Sequence, residues 1–267
     1  MDVKRIMSGI FGIPLVIVVL IFSNKFIIDI ILALIALIAM HEYLNAVSKI
    51  SKPVKWIGYI SCLSISMIHL ITKEYFNLFI TTGMSSVLTI LFLHIIVTDM
   101  KINFKDISYT FFGIFYVVFF ISFFGFIYGL ENGKILIWYA IIAAWGTDIF
   151  AYITGKHLGK HKFSKVSPKK SIEGCIGGAI GAVILSLIYT YLSNMYWGTN
   201  YSYLIIIVIA IFLSLIGQIG DFAASSIKRY VEIKDFGNLI PGHGGILDRI
   251  DSLIFLAPFA YVLLTLL

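Results

Sequence analysis

Charged residues are scarce in this 267-residue chain: Asp, Glu, Lys and Arg make up 13% of it, against 60% hydrophobic residues. A soluble domain of this length cannot bury so much apolar surface, which excludes an ordinary soluble enzyme. Several apolar runs reach the roughly 20 residues that cross a bilayer, and they do not alternate in the way of a transmembrane barrel. No polar stretch is long enough to fold separately. We therefore predict an all-α integral membrane protein with a single membrane domain over residues 1–267.

Cysteine is also scarce, with Cys62 and Cys175 the only two in the sequence. They lie in different apolar runs and form no CxxC pair, disulfide framework or metal-binding spacing. We predict that both are small core residues. Tandem repeats and low-complexity segments are absent from the sequence as well. The formal net charge of +6 comes mostly from loop lysines, so it reflects membrane topology and calls for no nucleic-acid partner.

Nine apolar runs predict a polytopic bundle of about nine transmembrane helices. The predicted spans are 10–22, 26–47, 56–72, 78–97, 108–128, 134–154, 172–193, 201–219 and 250–267. With the N-terminus in the cytoplasm, the Lys- and Arg-rich segments all fall on the cytoplasmic side, as the positive-inside rule requires. The loops on the opposite side hold only Lys25, Lys73 and Lys134.

Two acids lie within or at the end of predicted spans, Asp148 in the sixth and Asp221 in the eighth. An ionisable group at bilayer depth costs roughly 2.5–3.5 kcal/mol, so such a group usually lines a cavity or has a partner. Pairing between helices purely for packing is the alternative. Asp29, His41 and Glu42 lie near the ends of the second span, where water is close, and receive no predicted role.

A polar stripe follows the eighth span. Asp221, Ser225, Lys228, Arg229 and Glu232 recur at helical intervals, which places them on one face of a helix that extends past the membrane. An ordinary solvated face with intrahelical ion pairs would show the same pattern.

A glycine-rich segment with two further acids comes next. Consecutive glycines at Gly244 and Gly245 allow backbone N–H groups to approach an anion. Asp248 and Asp251 stand three residues apart at the start of a helix, where capping would explain one of them. Together with Asp221 or Asp148 they could instead hold a hard cation such as Mg²⁺ through oxygen ligands.

The loop before the seventh span is rich in lysine, including Lys156 and Lys170. These lysines fit anchoring to anionic lipid headgroups, a cationic wall for a polyanionic substrate, or both. Within the seventh span, Gly174 with Gly178 and Gly177 with Gly181 form two small-xxx-small pairs, which favour close helix packing.

The segment from Ser225 to Asp251 resembles the signature of the phosphatidate cytidylyltransferases, also called CDP-diacylglycerol synthases. Its matching residues are Ser225, Ile227, Lys228, Arg229, Lys234, Asp235, Gly237, Ile240, Pro241, His243, Gly244, Gly245, Ile246, Asp248, Arg249, Ile250 and Asp251. Upstream, Trp145-Gly-x-Asp148 and Ser167-Pro-x-Lys170-Ser171-x-Glu173-Gly174 are also similar to this family, with Lys169 in place of an expected glycine. The resemblance covers the C-terminal half, so we predict residues 1–130 as scaffold and 131–267 as the catalytic half.

The resemblance implies the reaction of CTP with phosphatidate to give CDP-diacylglycerol and pyrophosphate, in phospholipid biosynthesis. Implied catalytic residues are Asp221, Asp248, Lys228, Arg229 and His243. Implied phosphate-binding residues are Lys156, Lys170, Ser171, Ser225, Lys234, Gly244, Gly245 and Arg249. Mg²⁺ is expected on Asp221 and Asp248, with Asp148 and Asp251 as further candidate ligands and a second cation as an option. A homodimer in the cell membrane is expected, with the active site in a polar cavity open to the cytoplasm.

Three alternatives stay open at this point. A transporter or carrier also needs acids at membrane depth, although the sequence shows no inverted repeat. A CTP-dependent polyprenol or phytol kinase would use a lipid alcohol and a general base. A cytidylyltransferase for an ether-lipid phosphate would share the headgroup chemistry entirely.

Overall fold

The structure is a computed structural model that describes residues 14–71, 75–163, 167, 170–240, 242 and 244–267. Several residues that the sequence singled out lie outside the described residues, namely Lys73, Pro168, Lys169, Pro241 and His243. Over the described ranges the chain is helical and forms only two isolated antiparallel bridges, between Lys162 and Ser171 and between Ile240 and Gly244. The all-α prediction is therefore confirmed for the part of the chain that the structure describes.

Nine helices occur in those ranges, which matches the predicted count. They are α1 (14–22), α2 (Lys25–Val47), α3 (Lys55–Leu63), α4 (Phe76–Val97), α5 (Phe104–Tyr128), α6 (Gly133–Leu158), α7 (Ile172–Trp197), α8 (Tyr203–Tyr230) and α9 (Leu247–Leu264). A 3₁₀ segment, Ser64–Leu70, follows α3, and α5 contains a π-helical stretch, Ile114–Phe119.

Six of these helices are long and apolar enough to cross a membrane, namely α2, α4, α5, α6, α7 and α8. The chain is therefore a multi-pass membrane protein. The largest departure from the predicted spans is at α8, which was expected to end at residue 219 and continues to Tyr230. The extra turns carry four residues of the polar stripe on a helix, as their spacing predicted. The prediction was wrong for Glu232, which lies beyond the helix end with a φ of +55°.

Polar side chains define where several helices begin. Asn24 accepts a hydrogen bond from the Ile27 amide at 2.9 Å and caps α2. Asn103 and Asp106 form a reciprocal capping box at the start of α5. Ser171 accepts from the Gly174 amide at 3.1 Å and caps α7, so its hydroxyl has a structural role at the end of the lysine-rich loop.

The chain divides into two compact units. The first comprises Met1–Gly129 and Tyr230–Arg249, and the second comprises Leu130–Arg229 and Ile250–Leu267. The single membrane domain expected from the sequence, with its boundary near residue 130, stays a prediction.

The core of the first unit is built around α2. The Tyr43 side chain is buried against Gly113, and its hydroxyl donates to the Tyr109 carbonyl at 3.0 Å. Deeper in α2, the fully buried Asp29 pairs with His69, with 3.4 Å between the carboxylate Oδ2 and the ring Nδ1. This pair connects helix α2 with the 3₁₀ segment.

The second unit is centred on the close contact between α6 and α7. A Cβ placed on Gly174 would lie 2.9 Å from the Ala151 carbonyl, and one on Gly178 would lie 2.9 Å from the Thr147 carbonyl. Larger side chains would therefore separate the two helices. The prediction that the glycine pairs permit close helix packing is confirmed, and that packing lies within one chain.

Candidate active site

The structure divides the predicted site residues between the two units. The second unit contains Asp148, Lys156, Lys170, Ser171, Asp221, Ser225, Lys228, Arg229 and Asp251. The first unit contains Lys234, Gly244, Gly245, Asp248 and Arg249.

In the second unit, the lysine-rich loop is joined to α8 through Lys170. Its ammonium forms an ion pair with the Asp221 carboxylate and lies 4.6 Å from the centroid of the Phe222 ring. Phe222 in turn stacks on Phe163 from the same loop, with 4.8 Å between ring centroids. One helical turn along α8, the Ser225 hydroxyl donates to Asp221 Oδ1 at 3.5 Å. A cation, a carboxylate and a hydroxyl of the predicted site thus lie in contact, and their phosphate- and metal-binding roles stay predictions.

Asp251 extends this group to a third helix. Its side chain is buried, and its carboxylate interacts electrostatically with the carboxylates of Asp221 and Asp148 and with the Lys228 ammonium. Like charges near one another in a partly buried region repel strongly, so they favour a bound cation or a cationic side chain. Asp148, Asp221 and Asp251, all in the second unit, therefore interact although they lie on three different helices.

The loop between α6 and α7 is closed by Glu173. The backbone amides of Lys160 and His161 donate to its carboxylate at 3.1 Å and 3.3 Å, and His161 Nδ1 lies 2.6 Å from Oε1. Two backbone bonds, Phe163 to Lys170 at 3.0 Å and Ile172 to His161 at 2.9 Å, close the base of the loop. This closure holds Lys170 beside α8.

The two remaining cations of the second unit's predicted set are more exposed. Lys156 lies in the last turn of α6 and Arg229 in the last turn of α8, and both side chains are exposed. Both are therefore accessible to a soluble anion.

In the first unit, Asp248 organises the loop that precedes it. Its Oδ2 accepts hydrogen bonds from the Phe236 amide at 2.8 Å and from the Gly245 amide at 3.0 Å, and the residue is only 6% exposed. Both donors precede Leu247, the first residue of α9, so Asp248 ties the preceding loop to the helix and does not cap the amides of the helix itself.

The glycine-rich loop forms a narrow turn. Ile240 and Gly244 exchange backbone hydrogen bonds of 2.9 Å and 3.2 Å. Gly242 and Gly244 have φ angles of +79° and +89°, a region that favours glycine. The Gly244 and Gly245 amides both donate within the loop, to the Ile240 carbonyl and to Asp248. Phosphate binding by these amides stays a prediction.

A polar cavity of about 510 Å³ opens beside this turn. Its lining residues are Lys234, Asp235, Gly237, Asn238, Ile240, Gly242, Gly244 and Arg249. Two cations and one acid give it a net positive charge, and the glycines leave room beside the backbone. Such a cavity suits a phosphate group.

Sequence reasoning missed Glu42, which lies near the end of α2 and is only 6% exposed. Its Oε1 accepts from the Ile246 amide at 3.0 Å and its Oε2 from the Leu247 amide at 2.8 Å. The two partners are about 200 positions away along the chain, so no local pattern announces the contact. The only signal in the sequence was an acidic residue near the end of an apolar span.

The predicted Mg²⁺ site stays a prediction. The described residues contain no group of three or more His, Cys, Asp or Glu side chains arranged to hold a metal ion by themselves. Mg²⁺, however, is usually bound through one or two carboxylates together with substrate phosphates. The interacting carboxylates of Asp221 and Asp251 have the oxygen chemistry for that arrangement.

The chain resembles known proteins over most of its length. Residues 3–267 match the profile described as Cytidylyltransferase family. A protein named phosphatidate cytidylyltransferase from Bacillus subtilis (strain 168) is 43% identical over 137 residues, covering 51% of this chain and 49% of the relative. Its namesake from Staphylococcus haemolyticus is 36% identical over 176 residues, covering 66% of this chain and 65% of the relative. The protein of that name from Staphylococcus aureus (strain COL) is 38% identical over 170 residues and 63% of each chain. The matched part of the chain thus spans about half to two thirds of the length of these relatives.

Proposed function

The chain belongs to the cytidylyltransferase family, and we propose that it transfers CMP from CTP to phosphatidate, giving CDP-diacylglycerol and pyrophosphate. The observation that carries this proposal is the family match over residues 3–267, together with relatives named phosphatidate cytidylyltransferase. The grouped acids and cations support it, because both substrates are anions whose phosphates need charge compensation.

In the proposed step, an ionised phosphate oxygen of phosphatidate attacks the α-phosphorus of CTP. A new P–O–P bond forms, the bond from the α-phosphorus to the β-phosphate oxygen breaks, and pyrophosphate leaves with that electron pair. No general base is required, since the nucleophile is already deprotonated. The chain's task is to align two anions and neutralise their charge.

Cations of each unit are proposed to bind phosphate. Lys234 and Arg249 line the polar cavity of the first unit and would hold phosphates there. In the second unit, Lys170 and Lys228 lie beside acids and would neutralise phosphate charge. Phosphate contacts by Lys156, Ser171, Ser225, Arg229, His243, Gly244 and Gly245 are part of the proposal as well.

Mg²⁺ is the proposed cofactor, with a second cation as an option. Asp221 and Asp251 would hold it through carboxylate oxygens, with Asp148 nearby, and Asp248 remains a ligand by the family resemblance. When bound, the ion supplies positive charge to the triphosphate and to the leaving pyrophosphate. The Lys170 ammonium also forms an ion pair with Asp221.

The proposed setting is a homodimer in a bacterial cytoplasmic membrane, with the active site facing the cytoplasm. The concentration of lysine and arginine near the site residues supports this orientation. The orientation can be tested by cysteine labelling with a membrane-impermeant maleimide. The variant carries one cysteine, in place of the exposed Glu232, and lacks Cys62 and Cys175. Labelling only in inverted vesicles is expected, whereas labelling of intact cells would reverse the orientation.

A labelled-nucleotide assay tests the reaction and separates it from its rivals. Detergent-purified protein receives Mg²⁺, phosphatidate and CTP labelled in either the α- or the γ-phosphate. We expect the α-label in the lipid product and the γ-label in pyrophosphate. Transfer of γ-label to a polyprenol or phytol would instead identify a lipid kinase. An ether-lipid phosphate converted in preference to phosphatidate would change the substrate.

A further inference from the structure

Glu42 lies against the backbone at the start of α9. Its carboxylate accepts hydrogen bonds through both oxygens from consecutive amides, Ile246 at 3.0 Å and Leu247 at 2.8 Å. The first amides of a helix have no partner within it, so a side chain that accepts from them fixes where the helix begins. Bonds from amides to an ionised carboxylate are stronger than bonds between neutral groups.

Two glycines of the loop make room for this carboxylate. A Cβ added to Gly237 would lie 2.7 Å from the Glu42 Cδ carbon, and one added to Gly245 would lie 2.5 Å from it. Neither glycine has the positive φ that Gly242 and Gly244 show. Space for Glu42 is therefore the reason for glycine at these two positions.

The amides that Glu42 binds lie between residues of the polar cavity. Gly244 precedes them and Arg249 follows them, and both line the cavity. Asp248 holds the same loop from its other side through Phe236 and Gly245. Two buried carboxylates thus fix the segment that presents Arg249.

We propose that Glu42 is a positioning residue for nucleotide binding, which fixes the loop so that the cavity can accept the triphosphate of CTP. This inference rests on the proposed function. Glu42 does not contact phosphate itself, because both of its oxygens accept amide hydrogen bonds and its charge would repel an anion. It acts by fixing the backbone from which Arg249 extends.

The direction in which Glu42→Gln changes the Kd for CTP distinguishes a positioning role of Glu42 from simple charge repulsion of the nucleotide. A glutamine presents one oxygen and one NH₂ group to two amide donors, so one of the two bonds is lost. If Glu42 positions the loop, the Kd for CTP rises by about 10-fold, the usual scale for losing such a cap. If its charge merely repels the nucleotide, removing that charge lowers the Kd. Glu42→Asp, which keeps both acceptor oxygens, should recover part of the affinity.

The experiment uses the full chain in detergent and combines binding of labelled CTP with amide hydrogen exchange. We expect Glu42→Gln to raise the Kd for CTP, to leave the KM for phosphatidate within about 2-fold, and to speed exchange at Ile246 and Leu247 about 10-fold. Glu232→Gln, which removes an equal charge from an exposed position of the same unit, should leave all three unchanged. If Glu42→Gln fails to fold, Gly237→Ala is the second variant, because its Cβ displaces the Glu42 carboxylate. It should also raise the Kd for CTP and speed exchange at Ile246 and Leu247.

Unchanged exchange and unchanged CTP affinity in Glu42→Gln would overturn the inference, as would tighter CTP binding. Faster exchange with an equal loss for both substrates would also overturn it, since that pattern indicates general loosening. The proposed function has a separate readout, because wild-type protein that makes no CDP-diacylglycerol refutes it whatever Glu42 does. In that case the exchange rates and CTP affinity still decide the role of Glu42.

Discussion

The Lys170 ammonium pairs with the Asp221 carboxylate, which joins the lysine-rich loop to helix α8 at the residue predicted to bind metal. Asp221 also interacts with the buried Asp251. An acid beside a second acid is stabilised by a cation, and Lys170 supplies one in the structure. A bound divalent ion would take over that role and release Lys170 for substrate phosphate.

Because Lys170 pairs with Asp221, we expect Lys170→Met to lower the rate of turnover and to strengthen the apparent binding of Mg²⁺. We expect kcat to fall by about 100-fold, the usual cost of losing a positioned charge donor at a reacting phosphate. At the same time, the Mg²⁺ concentration for half-maximal activity should fall, because Lys170 no longer competes for Asp221. A magnesium titration of turnover measures both quantities. Lys162→Met, an exposed lysine of the same loop, is the matched control, and a kcat equal to wild type in Lys170→Met would contradict the assignment.

Asp248→Asn tests the hydrogen bonds that organise the glycine-rich loop. The asparagine oxygen cannot accept from both amides as well as the carboxylate does, and the Phe236 and Gly245 amides lie in a buried region. The free energy of unfolding should fall by about 1–3 kcal/mol. Thermal unfolding in detergent measures this change. The exposed Asp235→Asn should have little effect on unfolding, and equal midpoints for the two variants would show that the loop does not depend on Asp248.

Gly178→Ala tests the close packing of α6 and α7. Its new Cβ would lie 2.9 Å from the Thr147 carbonyl, so the helices must separate, at a cost of about 1–3 kcal/mol in the free energy of unfolding. Gly83→Ala in helix α4 is the matched control, because a Cβ on Gly83 would have no neighbouring atom within 4 Å. Alanine favours helix there by up to about 1 kcal/mol. Opposite shifts of the two unfolding midpoints are expected, and equal shifts would contradict the packing account.

Local sequence patterns predicted the helices and part of the site. Four-residue spacing placed Asp221 and Ser225 on one helix face, and their side chains do make contact. The apolar span of α8 was expected to end at residue 219, and the spacing of the polar residues correctly extended the helix beyond that point, because hydropathy alone cannot distinguish an extended helix from a loop. The glycine pairs of α7 were interpreted correctly because small residues four apart lie on one helix face, where they let a neighbouring helix approach closely.

Contacts between distant segments could not be predicted in the same way. Glu42 binds amides about 200 positions away, and nothing near it in the sequence identifies those partners. Glu173 lies inside a recognised motif, yet its bonds to the Lys160 and His161 amides depend on how the loop folds back. Such contacts follow from tertiary structure, which a single sequence specifies only indirectly.

The most direct test of the account compares wild type with Asp221→Asn in the transfer of α-labelled CMP to phosphatidate across a range of Mg²⁺ concentrations. The variant keeps the size of the side chain and removes the charge that Lys170 and a metal ion would share. Asp99→Asn, at an exposed position, is the control for loss of one acid. The account predicts magnesium-dependent labelled CDP-diacylglycerol from wild type and the control, and a loss of at least about 100-fold in Asp221→Asn. Labelled product from Asp221→Asn at the wild-type rate, or none from folded wild-type protein, would contradict it.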